Sequence, residues 1–222
     1  MKISELTEGI SDQLYHITSY QNLIEILRNN EFKLRPVFTK PSEQEHARRK
    51  KDLYWMSTAR TKNSRYLSDN RMPVLVLDGA KLKQRYSGRA VDYYGPAWRQ
   101  MSGGAYEQED RIFSSKPDIP NAQQYITAVE IVMEHSADQA NRIFEIYTIA
   151  KRNGIPVRFY DSLQDRNTGK NPMSERSARA ELKRNLDRSQ GRNYVPPRRP
   201  MYTGDAVAAI FLGLKFQPGD RL

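Results

Sequence analysis

Pro73-Val74-Leu75-Val76-Leu77-Asp78 and Tyr125-Ile126-Thr127-Ala128-Val129-Glu130-Ile131-Val132 have the length and the β-branched, apolar content of buried strands. A chain that carries them must build a sheet and cover it. Asp78-Gly79 closes the first run, and Ala80-Lys81-Leu82-Lys83 can start a short helix. Further strands are read at Leu14-Tyr15-His16-Ile17-Thr18, at Leu53-Tyr54-Trp55-Met56-Ser57-Thr58 and from Asp110-Arg111-Ile112-Phe113 onward. Helices alternate with them. Residues 22–28 place apolar side chains at helical spacing, with Asn22 opening the helix, and 141–151 form a second helix that Gly154 ends. Ile155-Pro156-Val157-Arg158-Phe159-Tyr160 returns as an edge strand, where a proline is tolerated. Residues 174–188 suit a basic helix. Short strands mixed with helices predict an α+β fold, and the length predicts one domain over 12–222 whose residues 161–222 form a basic C-terminal extension.

Between these elements the chain is polar. Residues 38–51 are charge-rich, contain Pro41 and read as a long loop of the kind that carries function. Residues 85–106 interleave Tyr86, Tyr93, Tyr94, Trp98 and Tyr106 with glycines, and read as an irregular loop that either shapes a pocket or packs on the surface. Val195-Pro196-Pro197-Arg198-Arg199-Pro200 is an extended linker, and 205–214 an apolar closing segment. There is no internal repeat.

Charge narrows the partners. The 222 residues include 36 Lys and Arg against 26 Asp and Glu, a net charge of +10. Residues 165–200 hold ten bases and four acids, so more than half of the excess lies there. Arg176, Arg179, Lys183, Arg184 and Arg188 are its candidate nucleic-acid contacts, since such a segment attracts polyanions by counterion release; a solvated basic face is the alternative. No apolar run approaches the roughly 18 to 20 residues that cross a bilayer, which predicts a soluble protein with no membrane partner. The absence of cysteine excludes disulfides, thiolate metal sites and a cysteine nucleophile, and it fits a reducing, cytoplasmic compartment. His16, His46 and His135 lack the local spacing of a metal site, and Ser102-Gly103-Gly104-Ala105 lacks the lysine and hydroxyl of a phosphate loop. No metal is expected.

Three groups of residues could carry chemistry. His16 and Thr18 lie two apart on a strand and therefore on one face, with Asn22 close behind. Ser57 and Thr58 face opposite sides of the next strand, so only one of them can enter a pocket, and Arg60 follows at its end. Glu107 and Glu109 in Tyr106-Glu107-Gln108-Glu109-Asp110-Arg111 share a face if that segment is extended.

The ordered set His-x-Thr-x-x-x-Asn-Leu, Ser-Thr-x-Arg and Glu-x-Glu, followed by the strand at 126–132, resembles the DarT-like branch of the NAD-dependent ADP-ribosyltransferases. The resemblance spans about residues 12–160. It implies a split β-sheet core with flanking helices, NAD as a consumed substrate, and mono-ADP-ribosylation of a nucleic acid or of a host protein associated with one. By the same resemblance His16, Thr18, Asn22 and Ser57 or Thr58 would contact NAD. Arg60 would hold its diphosphate or poise the acceptor, since a guanidinium forks onto phosphate oxygens. Glu109 would bind the nicotinamide ribose and stabilise the cation-like transition state, and Glu107 would orient or activate the acceptor. The sequence departs from that pattern at Asn29-Asn30, where a glycine usually closes the first helix, and in the acidic neighbours of Glu109. A non-catalytic nucleotide or nucleic-acid binder on the same fold, or an NAD hydrolase, is the alternative. Leu6-Thr7-Glu8 resembles the Leu-x-Glu cleavage site of prohead proteases in tailed phages, which implies a leader at 1–11 cleaved after Glu8 and a phage effector packaged in the virion and acting in the host cytoplasm.

Overall fold

A computed structural model of the chain describes residues 12–36, 53–64, 67–69, 71–91, 109–134 and 139–189. It is a mixed α+β structure that divides into two compact units, Met1–Ile17, Asn29–Asp69 and Val74–Thr127 in the first, Thr18–Arg28, Asn70–Pro73 and Ala128–Leu222 in the second. The leader, the 38–51 loop, Glu107 and the 205–214 segment lie outside the described residues.

The first unit is built on a sheet that contains β1 (Gln13–Ile17), β3 (Arg35–Pro36), β4 (Tyr54–Ala59), β5 (Val74–Asp78), β6 (Ser87–Val91) and β7 (Glu109–Ser114). Their order is β5-β1-β4-β7-β6, and β3 also pairs with β4. β5, apolar except for its last residue Asp78, lies against β1 in five rungs from Gln13↔Asp78 to Ile17↔Val74. Val74 and Val76 on one face of β5 and Leu75 and Leu77 on the other are all at most 1% exposed, as a strand enclosed on both faces requires. Asp78 ends β5 and caps the short helix α2 (Gly79–Leu82), its carboxylate accepting from the Lys81 N–H at 2.8 Å.

β4 is held differently on its two edges. It pairs with β7 in six consecutive rungs, Tyr54↔Ser114 to Ala59↔Glu109. On the other edge β3 takes Tyr54 and Trp55, β1 meets β4 only at Tyr15↔Ala59, and among the described residues no rung lies at Met56, Ser57 or Thr58. The sheet is therefore parted between β1 and β4 where Ser57 sits.

A two-stranded ribbon, β2 (Glu31–Lys33) with β8 (Asp118–Pro120), buries Phe32 against Ile119 across its central rung. Asn30 precedes it at φ 55°, the left-handed conformation that commonly ends a helix and that asparagine reaches more easily than other non-glycine residues. Its main-chain carbonyl accepts from Ala122 N–H and its side-chain oxygen from Gln123 N–H, each at 2.9 Å. Asparagine thus fills the position where the sequence lacks a glycine.

The second unit contains α1 (Tyr20–Asn29, except its last residue), β9 (Ile126–Val132, from Ala128), α3 (Ala140–Arg152), β10 (Val157–Tyr160), α4 (Leu163–Thr168) and α5 (Glu175–Ser189). β10 lies parallel to β9 in four rungs. Glu130 of β9 is completely buried, with Arg158 Nη1 and Tyr160 OH each 3.4 Å from its Oε1. Burial, and then the Glu130 charge, push the Tyr160 hydroxyl up to about 12. α5 buries Ala178, Leu182, Asn185 and Leu186, the stripe of an amphipathic helix. Glu175 at its start accepts from Tyr147 OH, from Lys151 Nζ at 3.4 Å and from Arg179 Nη2 at 2.7 Å. No helix among the described residues is long and apolar enough to cross a membrane.

Two expectations need correction. Asn22 does not open α1: the helix starts at Tyr20, Ser19 Oγ accepts from the Asn22 N–H at 3.1 Å, and Asn22 lies exposed within the first turn. The serine hydroxyl, three residues earlier, is better placed to satisfy that free donor. Nor is the 85–106 stretch irregular throughout, since Ser87-Gly88-Arg89-Ala90-Val91 pairs with β7 in five rungs. Cross-strand pairing with a strand enclosed on both faces overrides the low strand propensity of Gly88.

Candidate active site

Strand alternation sorts the site residues by face. Cross-strand partners in an antiparallel pair share a face, so Trp55, Ser57 and Ala59 of β4 lie with Glu109, Arg111 and Phe113 of β7. Met56, Thr58, Asp110 and Ile112 occupy the opposite face.

Glu109 is 4% exposed, and an isolated carboxylate that deeply placed would be costly. Two donors offset that cost. Ser57 Oγ donates to Glu109 Oε1, and Arg111 Nε donates to the same oxygen at 3.3 Å. The Arg111 guanidinium lies over the Trp55 ring, 4.1 Å from its centroid, in a cation–π stack that fixes its plane. Both bonds fall on Oε1, so Oε2 keeps its acceptor capacity. Tyr15 stands on the same face through its bridge to Ala59, the partner of Glu109.

His16 sits at the parting of β1 and β4. Its Nδ1 lies 2.7 Å from the Ser57 carbonyl oxygen, which can only accept, so Nδ1 carries the proton. Burial lowers its pKa below the ordinary 6.5, the bond to Ser57 partly opposes this, and the Arg35 charge lowers it further. The ring is neutral at pH 7 with Nε2 as an acceptor. His16 thus ties this stretch of β4 back to β1, immediately behind the Ser57 hydroxyl that holds Glu109.

No known protein family, curated protein or solved structure matches this chain.

What the chain can do must then be read from these groups. His16, Ser57 and Glu109 are brought together in one hydrogen-bonded sequence, Nδ1–H to the Ser57 carbonyl and Ser57 Oγ to the carboxylate. Thr58 is turned away and completely buried, with Oγ1 donating to the Asp110 carbonyl at 2.8 Å, so Ser57 is the hydroxyl that faces Glu109. Arg60 does not join them: its Nε donates at 2.7 Å to Asp110 Oδ1, a fully buried carboxylate on the far face from Glu109. Thr18 and Asn22 belong to the second unit, where Thr18 is buried with its N–H on the Pro73 carbonyl at 3.2 Å. Glu107 lies outside the described residues.

Arg111, Trp55 and Tyr15 were not among the sequence candidates. The signal for Arg111 was present, since a residue two beyond Glu109 on a strand must share its face. Trp55 required the β4–β7 register, which no spacing within either strand reveals. Among the described residues no cluster of three or more His, Cys, Asp or Glu could hold a metal ion.

On α5, Arg176 and Lys183 are exposed, seven residues apart and so on one stripe of the helix. Arg179 pairs with Glu175 and Arg184 with Glu181. The side chain of Arg188 is outside the described residues. Among the described side chains, the basic character of the helix outside these pairs lies at Arg176 and Lys183.

Proposed function

We propose that this chain is an NAD-dependent mono-ADP-ribosyltransferase on an ADP-ribosyltransferase-like split sheet, with a nucleic acid or a nucleic-acid-associated protein as acceptor. The observation that carries the reading is the Glu109 carboxylate, buried, oriented through Oε1 by Ser57 and Arg111, and left with Oε2 to accept a sugar hydroxyl. The sequence resemblance supplies NAD; the geometry supplies a group suited to its chemistry.

NAD brings a scissile bond between ribose and a cationic nicotinamide, and heterolysis sends the electron pair out with nicotinamide. Positive charge then grows on the sugar carbon while the acceptor nucleophile approaches. A carboxylate beside that carbon lowers the barrier because its charge matters most where water is excluded. By analogy with glycoside cleavage this is worth several kcal/mol, about 10² to 10³ in rate. Ser57 fixes the direction of the carboxylate, and Arg111 offsets the cost of burying it. Neutral His16 holds the Ser57 main chain through Nδ1, behind the hydroxyl that orients the carboxylate, and the sequence resemblance assigns it to NAD. Glu107, two residues before Glu109, is assigned to the acceptor side.

The acceptor class is supported by Arg176 and Lys183 on α5 and by the +10 net charge. The test is incubation with labelled NAD and a cell lysate, with and without nuclease, beside Glu109→Gln. Label transfer that falls at least a hundredfold in the variant supports a transferase, and its loss on nuclease treatment supports nucleic acid as acceptor. Free nicotinamide without transfer would point to a hydrolase. NAD binding without turnover would leave only a binding module.

A further inference from the structure

Arg60 was the natural candidate to hold a diphosphate, but its guanidinium is bonded to Asp110, which is completely buried on the face away from Glu109. A dinucleotide whose reacting sugar lies at Glu109 needs a cation for its diphosphate on the face that carries Glu109. Arg35 meets that need. It pairs with Trp55 in the β3–β4 ladder, so it projects from the face that carries Trp55, Ser57, Glu109 and Arg111. It is exposed, and no ion pair involving it occurs among the described residues. β3 and β1 flank the same edge of β4, which puts Arg35 and His16 at opposite ends of the rung-less stretch at Ser57. The Arg35 charge also lowers the His16 pKa, after burial and against the Ser57 hydrogen bond, in keeping with that placement.

We propose that Arg35, and not Arg60, is the anion-binding residue of this site and takes the diphosphate of the dinucleotide. The inference rests on the NAD reading above. Four residues along β4 and two strand spacings across it separate the Arg35 and Glu109 rungs, about 16 Å between Cα atoms. A long guanidinium side chain and a carboxylate reaching toward each other reduce that gap to the scale of one ribose phosphate. A forked guanidinium is the side chain suited to diphosphate oxygens, and its exposure lets it fold onto a ligand. Arg60 instead joins β4 to β7 through Asp110, so its loss would be felt by the fold.

The test measures NAD affinity by calorimetry for the wild type, Arg35→Lys and Arg35→Gln, with the melting temperature of each. Loss of one charged hydrogen-bonding group predicts a Kd raised about ten- to a hundredfold in Arg35→Gln. Arg35→Lys should be intermediate, because it keeps the charge and loses the fork, and both variants should melt with the wild type. In Arg35→Gln the His16 pKa, followed by ring-proton NMR without ligand, should rise. Equal NAD affinity in wild type and Arg35→Gln would overturn the assignment while leaving NAD binding intact. A loss of affinity accompanied by a lowered melting temperature would make Arg35 structural and overturn it too. A wild type that binds no NAD would remove both this assignment and the reading beneath it.

Discussion

Asp110 and Glu109 are adjacent buried carboxylates, and each has been given its own arginine on its own face of β7. The consequences differ because the two pairs are differently exposed to a ligand. Arg60 and Asp110 close on each other, so removing the arginine takes a bonded cation from a buried charge. Arg60→Ala is expected to destabilise the fold by about 3 kcal/mol, at the lower end of what breaking a buried pair costs. Urea unfolding would measure it, and a variant of wild-type stability with weak NAD binding would return Arg60 to the ligand. His16 gives a pH-dependent test of the same region. Its folded pKa lies below the unfolded 6.5, so the folded state binds its proton less readily than the unfolded state does. The associated stability is complete above pH 6.5 and is lost as pH falls from there through the folded value. Comparing wild type with His16→Gln between pH 5 and pH 7.5 isolates it from the carboxylates, and the variant should show the smaller decline over that interval.

The longer elements announce themselves. Val74–Asp78 and Ile126–Val132 were legible because a buried strand needs a run of apolar, β-branched residues, and α3 because its apolar residues repeat at helical spacing above a closing Gly154. Arg35–Pro36, Glu31–Lys33 and Asp118–Pro120 were not, since two or three residues carry no period and are ordered only by the strand they meet. The site followed the same division. Glu109 and Ser57 were readable as residues on strands, whereas the carboxylate's arginine, its tryptophan platform and the bond from His16 to the Ser57 carbonyl depend on registers that form only on folding. Asn30 shows a local requirement met by a less obvious residue. At φ 55° an alanine there is strained and loses the oxygen that accepts from Gln123 N–H, so Asn30→Ala should cost about 1 to 2 kcal/mol. Asn30→Gly relieves the strain and forfeits only the hydrogen bond, and thermal melting should place it between the alanine variant and the wild type.

At the scale of the molecule, the question left to the charge distribution is whether the excess positive charge recognises a polyanion or only solvates the surface. α5 separates the two answers, because pairing has already consumed part of its charge. Arg179 and Arg184 are engaged with Glu175 and Glu181, and a phosphate could recruit them only by displacing a carboxylate. Arg176 and Lys183 have no such competitor among the described residues, and they share one stripe of the helix opposite the buried Ala178, Leu182 and Leu186. Each phosphate contact releases counterions, so affinity for single-stranded nucleic acid falls with log salt at a slope of about 0.7 for each neutralised phosphate. Replacing both residues with alanine should therefore lower that slope by about 1.4, while leaving melting temperature and NAD affinity unchanged because neither side chain supports the core. Fluorescence anisotropy with a labelled oligonucleotide between 50 and 300 mM salt reads the slope directly. A variant whose slope equals that of the wild type would show that the exposed stripe only solvates the helix, and the acceptor would then have to be sought without its help.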